Sequence, residues 1–490
     1  MWLRPTGLTN TEAVAKRVKE IKDMGFNIIC LEVLYDSVFI CPMPENGYFI
    51  HNPSLNGFDL LDAFVSECAK QGVELNAWLS VYRVSYSTST YYNQSLAAKK
   101  PDWLCLSKSG ADYVANEYGN GYFIDPSNTE AKEYLLSVYK YILENYKLDG
   151  LQLDYIRYPH QTGEYFGYNE GTRAAFKEIY EVDPINIAPG GEKWNEWIDF
   201  RCDFVTDFVK EIVTTAKEIS RMTIVSCEIA PNLEESRKTH LQDAKKWLEE
   251  GIIELGYPMA YGTNVVPMYA GYTVDACGEN GLAYIGVGDY GADVFAKQIL
   301  ESREEGADGV AFFSYSQYMA GNYSKQIASS LFSTPALSPS YNCKAAAKAL
   351  IETLSSRLEM MTGLLPENEI NMLLSEIALI LDVLKTDAIS QHSEDITELC
   401  EMLEKISDKK ALSALESDIK LLEKTVKISR DDYREFISVT DESDISDISS
   451  DTSVSDSADS ILPPWSIAVI AVILLISAGA VITVIKKKKA

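Results

Sequence analysis

The sequence has few of the residues that build metal sites, disulfide frameworks or nucleic-acid interfaces. It contains 4 histidines, and none of its 9 cysteines belongs to a Cys-x-x-Cys pair, so the spacings typical of bound zinc are absent. Lysine and arginine number 44 against 72 acidic residues, a net charge of −28. Nucleic acid is itself an anion, so this balance argues against a nucleic-acid partner. We predict no transition metal and no cofactor; calcium stays open because loop carboxylates are plentiful.

The cysteines do not resemble the framework of a disulfide-rich domain. Their number is odd, and they are scattered through strand and helix patterns, as Cys30, Cys68 and Cys227 illustrate. Free cysteine behaves as a small apolar side chain and is usually buried. We therefore expect buried, unpaired thiols.

Short apolar segments alternate with helical patterns from Met1 to about residue 335, which is typical of a parallel sheet. Eight such segments predict a (β/α)8 TIM barrel over residues 1–335. The link between the sixth and seventh strands shows no clear helical pattern. The predicted strands are Trp2–Leu3, Asn27–Leu34, Glu74–Val81, Gly150–Ile156, Met222–Ile229, Glu254–Tyr261, Ala283–Val287 and Val310–Tyr315. The predicted helices are Glu12–Met24, Asp59–Gln71, Thr129–Tyr146, Trp194–Ser220, Leu241–Glu250 and Ala292–Glu305.

The rest of the chain divides into four segments of different composition. Residues 344–428 carry helical patterns that predict a small all-α module. Residues 438–463 are rich in Ser and Asp and predict a disordered stalk. Residues 466–485 carry no charge and are long enough for a transmembrane helix, and residues 486–490 form a basic tail.

The basic tail predicts how the chain is oriented. Lys486–Lys489 should stay in the cytoplasm, which puts the barrel outside the cell in a single-pass membrane protein. An exported barrel needs a signal peptide, and we expect that this segment is missing from the sequence in hand. A cytosolic protein anchored by its tail is the alternative.

One ordered set of motifs carries a resemblance to a known family. The set comprises Trp2-Leu3-Arg4-Pro5, Asn76-Ala77-Trp78-Leu79 with Arg83, Pro101-Asp102-Trp103-Leu104, Asp125-Pro126, the block Asp149–Pro159, and Pro258-Met259-Ala260-Tyr261. With these motifs the chain resembles the bacterial glycosyl-hydrolase-like family 10. The resemblance implies a TIM barrel and an exported carbohydrate-active enzyme. Strand two departs from it, because Leu31-Glu32-Val33-Leu34 stands where a polar residue or arginine is expected.

Glycoside cleavage ordinarily uses two carboxyl groups, one ionised and one protonated. Four acids lie at or near the carboxyl-terminal ends of predicted strands: Glu32, Asp154, Glu228 and Asp289. By analogy with the α-amylase arrangement, Asp154 would be the nucleophile, Glu228 the acid/base and Asp289 a carboxylate that holds sugar hydroxyls. Gln152 replaces the arginine of that arrangement.

Each of these acids also has a structural alternative. Asp154 could pair with Arg157 or Arg83, Glu228 could form an inward salt bridge, Glu32 could pair with Arg4, and Asp289 could be a turn residue. The predicted walls of the pocket are Asn76, Trp78, Arg83, Tyr155, Arg157 and Tyr261, together with Glu32 and Asp289. Asn76 could orient a hydroxyl or the carboxylate, Arg157 could keep Asp154 ionised, and Trp78 could instead belong to the core.

Two functions remain at this point. The first is a surface-anchored glycoside hydrolase that acts on an extracellular polysaccharide or cell-wall glycan. The second is a non-catalytic carbohydrate-binding barrel. They differ in whether a second carboxyl group lies about 5–10 Å from Asp154.

Overall fold

A computed structural model describes residues 1–428 except 45–46, 117–118, 162, 289, 334–335 and 341. Eight parallel strands run through residues 2–312, and each agrees with a predicted strand to within a few residues. They are β1 (Trp2–Leu3), β2 (Ile28–Tyr35), β3 (Glu74–Ser80), β4 (Gly150–Asp154), β5 (Ile224–Ile229), β6 (Leu255–Pro258), β7 (Leu282–Val287) and β8 (Gly309–Phe312).

The eight strands pair in their order along the chain, from β1 to β8. Ser80 of β3 lies beside Asp154 of β4, and Leu153 of β4 lies beside Cys227 of β5. Two short strands, Val38–Phe39 and Ile50–His51, extend the sheet beyond β2. The protein therefore has a mixed α/β fold built on a mostly parallel sheet.

Helices follow the strands, and several begin at a residue that caps them. Asn10, Asp59 and Asn128 each accept a hydrogen bond from a backbone N–H of the first turn that follows. The longer helices of this region are Thr11–Asp23, Leu60–Gln71, Thr129–Asn145, Glu170–Tyr180, Trp194–Ile219, Leu233–Thr239, Ala244–Glu249, Val266–Cys277, Ala292–Glu304 and Tyr315–Gly321.

The expectation that no helix links β6 to β7 was wrong, because Val266–Cys277 is helical. This segment is apolar nearly all round and contains Pro267 and Gly271, so it lacks the three-and-four spacing of an amphipathic helix. Burial against neighbouring helices overrides the weak local preference.

The long loop after β3 also contains regular structure that the sequence did not predict. Arg83–Tyr86, Val114–Asn116 and Gly119–Phe123 form a three-stranded antiparallel sheet of their own. This small sheet lies over the carboxyl-terminal end of β3, since Tyr82 accepts a hydrogen bond from the backbone N–H of Ile124.

The parallel sheet has two buried faces. The outer face packs against the helices, with Leu153 and Cys227 among its residues. The inner face is a separate cluster, made of side chains from seven of the eight strands and from Ile428. Its members are Trp2, Ile28, Cys30, Trp78, Ile224, Leu255, Tyr257, Leu282, Tyr284, Ala311 and Ile428, with Phe313 packed against them.

The last described helices are Cys343–Met360, Glu367–Val383, Ser393–Glu404 and Lys409–Lys427. They share a hydrophobic core that is distinct from the sheet's. The group contacts the amino-terminal edge of the sheet, where Lys424 pairs with Asp308 at 3.0 Å.

All nine cysteines are buried and unpaired, as expected from their distribution. Within the residues described, no helix is both long and apolar enough to cross a membrane. The segments 438–463, 466–485 and 486–490 lie outside the described residues.

Candidate active site

Two carboxyl groups meet at the carboxyl-terminal edge of the sheet. Asp154 is the last residue of β4, and Glu228 lies near the end of the neighbouring β5. The pairing of Leu153 with Cys227 puts the next residues of the two strands side by side on the inner face. Both acids are buried, with 7% and 5% of their surfaces exposed. Their carboxyl groups lie within hydrogen-bonding reach of each other, an arrangement that favours a proton on one of them.

The proton belongs on Glu228. Burial raises the pKa of its carboxyl group well above the ordinary value, and the charge of Asp154 and the hydrogen bond to it raise this pKa further. The charge of Glu32 acts in the same direction. One carboxyl oxygen of Glu228, Oε1, is buried without a hydrogen-bond partner. The arrangement thus favours the protonated form of Glu228.

Two N–H groups donate hydrogen bonds to the carboxyl group of Asp154. Its Oδ2 accepts from Nε1 of Trp78 at 3.0 Å, and its Oδ1 accepts from the backbone N–H of Tyr155 at 2.6 Å. Tyr155 takes a left-handed backbone conformation, with φ of 51°, directly after the strand. Among the described residues no ion pair joins Asp154 to Arg157 or Arg83, so the structural pairing considered for it is not formed.

Aromatic rings line the inner face around the two acids. Nε1 of Trp2 donates to Oε1 of Gln152 at 2.8 Å and lies close enough to Glu228 to oppose the rise of its pKa. The ring of Phe313 lies 5.6 Å from Tyr261 and 6.0 Å from Trp2. The charges of Glu228 and Asp154, added to burial, raise the pKa of Tyr261. The structure therefore brings Trp78 and Tyr261 to the carboxyl pair.

Glu32 is a third carboxyl group at this edge. It pairs with Arg4, Nε to Oε1, at 3.2 Å, which is the partner considered from the sequence. Burial raises the pKa of Glu32 to about 7, and Arg4 opposes this rise. Glu32 and Asp154 are near enough for the charge of Asp154 to contribute.

A cleft of about 790 Å³ opens beside Glu32, between the loops that follow β1, β2 and β3. Its walls include Tyr35, Asp36, Asn52, Tyr86 and Tyr91. Flat aromatic faces beside hydroxyl-matching polar groups are what a sugar chain needs.

Arg83 stands behind this cleft and organises its tyrosines. The guanidinium lies 4.5 Å from the ring of Tyr35, 4.6 Å from Tyr86 and 4.3 Å from Tyr155, and its Nη1 is 3.3 Å from Oδ1 of Asp36. These contacts outweigh burial and raise its pKa. The side chain is buried, so its contacts fix the rings of the wall.

Asn76 does not join the carboxyl pair. It lies beside Gly150, at the opposite end of β4 from Asp154, and its Nδ2 donates to Glu74 at 2.9 Å. Four residues of strand separate it from Ser80, the neighbour of Asp154, which is about 13 Å at 3.3 Å per residue. Its side chain lies on the inner face, as expected, but near the amino-terminal end of the strand and away from the carboxyl pair. Asp289 lies outside the described residues.

Arg157 follows β4 and reaches the edge of the site. Its guanidinium lies 4.9 Å from the ring of Tyr155, and its Nη1 donates to the carbonyl oxygen of Tyr158 at 3.2 Å. Burial lowers its pKa, whereas the charge of Asp154 raises it. In the part of the chain that the structure describes, no three His, Cys, Asp or Glu side chains are grouped to hold a metal ion.

A profile of the family described as "Glycosyl hydrolase-like 10" matches residues 6–276. The chain belongs to this glycosyl hydrolase-like family. Glycosyl hydrolase YngK of Bacillus subtilis (strain 168) is 21% identical over 287 residues, which cover 53% of this chain and 51% of the relative. Glycosyl hydrolase DigH of Escherichia coli (strain K12) is 25% identical over 180 residues, which cover 33% of this chain and 38% of the relative. The chain thus spans about half or less of these relatives.

One solved structure supports the fold. The glycoside hydrolase domain of PgaB (BpsB) from Bordetella bronchiseptica superimposes with a TM-score of 0.52 at 12% identity. The match covers 66% of this chain and 97% of that domain.

Sequence reasoning on this member of the glycosyl hydrolase-like 10 family missed several residues of the site. Trp2 was assigned to a strand and a family motif but not to the site, Phe313 was assigned only to a strand, and Tyr35 and Asp36 were not singled out. The available signal was the alternation of side chains along a strand. Alternate residues share one face, so the strand residues that face the same way as Asp154 and Glu228 were candidates for the site.

Proposed function

We propose that the protein is a glycoside hydrolase that cleaves an extracellular polysaccharide or a cell-wall glycan. One observation carries this proposal: two buried carboxyl groups lie side by side at the ends of neighbouring parallel strands, and the pKa of Glu228 is raised by burial and by the charge of Asp154. Paired carboxyl groups whose environments separate their pKa values are the usual acid and base of such enzymes.

In the proposed reaction Glu228 gives its proton to the glycosidic oxygen as the bond to the anomeric carbon breaks. Asp154, positioned by hydrogen bonds from Trp78 and from the backbone N–H of Tyr155, is the nucleophile that attacks this carbon. Water then hydrolyses the glycosyl-enzyme with Glu228 as the base. The hydrogen bond between the acids must open when a sugar enters, because retaining enzymes hold their carboxyl groups about 5–5.5 Å apart.

The eight strands fit a closed (β/α)8 barrel in this proposal. The inner face packs against itself, and the ring of Trp2 on β1 lies 6.0 Å from Phe313, which directly follows β8. In such barrels the carboxyl-terminal edge holds the catalytic residues. Asp154 and Glu228 lie at that edge.

A carbohydrate-binding barrel without catalysis is the second candidate. The close approach of Asp154 and Glu228 favours it, because a direct hydrogen bond between them would hold the two groups closer together than in either class of glycosidase. A binding protein needs only the tyrosine-lined cleft and its polar groups.

Hydrolysis kinetics separate the two candidates. Residues 1–428 would be assayed on polysaccharides and purified cell-wall glycan as wild type, Asp154→Asn and Glu228→Gln. We expect each variant to lose at least about 10²- to 10⁴-fold in kcat, the usual contribution of acid–base catalysis. The Glu228→Gln loss should shrink on aryl glycosides, whose leaving groups need no protonation.

The control is Glu301→Gln, a change of the same type on the helix Ala292–Glu304, remote from the two acids. Glycan binding that persists without turnover by wild-type protein would establish the binding candidate instead.

We also propose that residues 466–485 anchor the protein at the cell surface. The support is the uncharged apolar run followed by four lysines. Protease treatment of intact cells that express the full chain should remove the barrel from the membrane fraction. Protection of the barrel until the cells are lysed would overturn this arrangement.

A further inference from the structure

Three side chains that can carry positive charge lie together, and one of them, Arg157, is near enough to Asp154 to feel its charge. They are Arg157 and His160, which follow β4, and His240, which follows the helix Leu233–Thr239. The rings of His160 and His240 are 4.6 Å apart. The charge of Arg157 lowers the pKa of both imidazoles, and the pKa of His240 falls to about 3 with burial as the largest cause. The three groups are thus within electrostatic reach of one another.

Backbone hydrogen bonds hold this basic cluster in place. The N–H of Tyr158 donates to the carbonyl oxygen of His240 at 3.0 Å, and the N–H of Gln161 donates to that of Thr239 at 2.6 Å. The loop after β4 is therefore fastened to the end of the helix Leu233–Thr239. The cluster is a fixed part of the fold, built where β4 and β5 deliver the two acids.

Arg157 has no carboxylate partner of its own among the described residues. Its one hydrogen bond goes to a carbonyl oxygen, and its half-buried guanidinium stacks on Tyr155. Asp154 is the carboxylate whose charge acts on it, yet the two form no ion pair. In a chain with 72 acidic and 44 basic residues, an arginine at a candidate active site without such a partner stands out.

The chemistry of the cluster defines the group that would complete it. A guanidinium is a planar fork of N–H donors that matches a carboxylate with two parallel hydrogen bonds. An anion bound there would also raise the pKa of the neighbouring imidazoles and let them share the charge. Neutral sugar hydroxyls would leave the charge of Arg157 uncompensated.

We propose that the glycan cleaved by this protein carries carboxylates, and that one of them binds Arg157, flanked by His160 and His240, beside the scissile bond. This inference rests on the proposed hydrolase function and names its substrate class. Arg157 then selects acidic sugars, while Asp154 and Glu228 carry out the cleavage.

Matched acidic and neutral glycans test the inference. The probes are uronic-acid oligosaccharides and an amino-sugar glycan with lactyl carboxylates, each before and after conversion of its carboxylates to primary amides. We expect Arg157→Gln to lower kcat/KM on the acidic forms by about 10- to 100-fold, chiefly through KM, because a hydrogen bond to a charged group is lost. Arg157→Lys should recover part of the loss, and the amidated forms should be cleaved equally by wild type and Arg157→Gln.

Arg221→Gln is the matched control, since Arg221 is an exposed arginine that precedes β5, at the other edge of the sheet. It should change neither set of rates. Equal slowing of acidic and amidated glycans by Arg157→Gln would overturn the inference, as would a wild-type preference for the amidated forms or for a phosphorylated glycan.

Binding measurements distinguish failure of this inference from failure of the hydrolase proposal. If the wild type cleaves none of the glycans, the hydrolase proposal fails. Titration calorimetry with the acidic oligosaccharides then decides the inference alone: salt-sensitive binding that Arg157→Gln abolishes supports it, and binding that the variant retains overturns it.

Discussion

The two edges of the parallel sheet use carboxyl groups in opposite ways. At the carboxyl-terminal edge Glu228 has a buried oxygen without a partner and lies close to the carboxyl group of Asp154. At the amino-terminal edge Glu74 is equally buried, yet its oxygens accept hydrogen bonds from Asn76 at 2.9 Å, from Ser338 at 2.8 Å and from Ser340 at 2.7 Å.

Asp308 repeats the pattern of the amino-terminal edge. It pairs with Lys424 at 3.0 Å and accepts from the backbone N–H of Ala283 at 2.9 Å. A buried acid with a full set of donors fixes structure, whereas one short of donors keeps its proton available for chemistry. The difference in partners, more than the residue type, therefore separates the structural acids from the acids of the candidate site.

The largest stability effect should come from breaking the pair between Lys424 and Asp308. Lys424→Met leaves the buried Asp308 carboxylate without its cation, and we expect about 3–5 kcal/mol of lost unfolding free energy. Urea denaturation followed by circular dichroism measures the change. The exposed pair of Lys245 and Glu234 is the control, since Lys245→Met should cost less than about 1 kcal/mol. If Lys424→Met also lowered the activity per folded molecule, the amino-terminal edge would not have a purely structural role, and the contrast between the two edges would fail.

Glu74→Ala should have the next largest effect. It leaves the amide of Asn76 and two serine hydroxyls without their acceptor, which costs about 1–3 kcal/mol for a buried group. Thermal unfolding of the variant beside the wild type gives the value. An unchanged melting temperature would mean that the serines and Asn76 find other partners.

Glu228→Gln should increase the free energy of unfolding at alkaline pH, whereas the two preceding changes decrease it. A raised carboxyl pKa in the folded state stabilises the fold fully below pH 4.5, the ordinary value, and this contribution is lost as the pH rises toward the raised pKa. The amide cannot ionise and can still donate to Asp154. The variant should therefore gain about 1.4 kcal/mol over wild type for each unit of pKa rise.

Unfolding at pH 4 and pH 8 measures this gain, which should vanish at pH 4. A variant less stable than wild type at both values would show that Glu228 is held as the structural acids are.

The smallest effect concerns Glu32 and Arg4. Arg4 is half-exposed, so its pair with Glu32 should contribute less than about 1 kcal/mol. Arg4→Gln should raise the pKa of Glu32 above its value of about 7 by less than one unit. Carbon-13 NMR of the carboxyl group follows this titration, and Arg17→Gln, which removes a cation paired with Glu20, should leave it unchanged. A pKa that falls in Arg4→Gln would contradict the assigned partner.

The strands were predictable because each is a short apolar run. On both sides of each run the hydrophobic period changes and turn residues occur. The same reasoning found Asp154 and Glu228, which end such runs. It could not rank residues along a strand: Asn76 and Trp78 share the inner face, but only Trp78 lies near enough to donate to Asp154. How far a residue lies toward the carboxyl-terminal edge of the sheet depends on the register between strands, and register is a long-range property.

Contacts between distant segments of the chain could not be predicted from the sequence either. Arg157 was expected to act on Asp154, yet its surroundings include His240, far along the chain. The cage of tyrosines around Arg83 joins Tyr35 to Tyr155 in the same way. Such sites form only when the loops after several strands meet at one edge.

The buried thiols can report the order in which regions of the chain unfold. Cys343 and Cys400 lie in the core of the C-terminal helices, whereas Cys68 and Cys227 lie in the outer core of the sheet. An alkylating reagent can reach each thiol only when its surroundings open. The order in which these cysteines are modified would therefore show, by mass spectrometry and without any mutation, whether sheet and helices open together or one after the other.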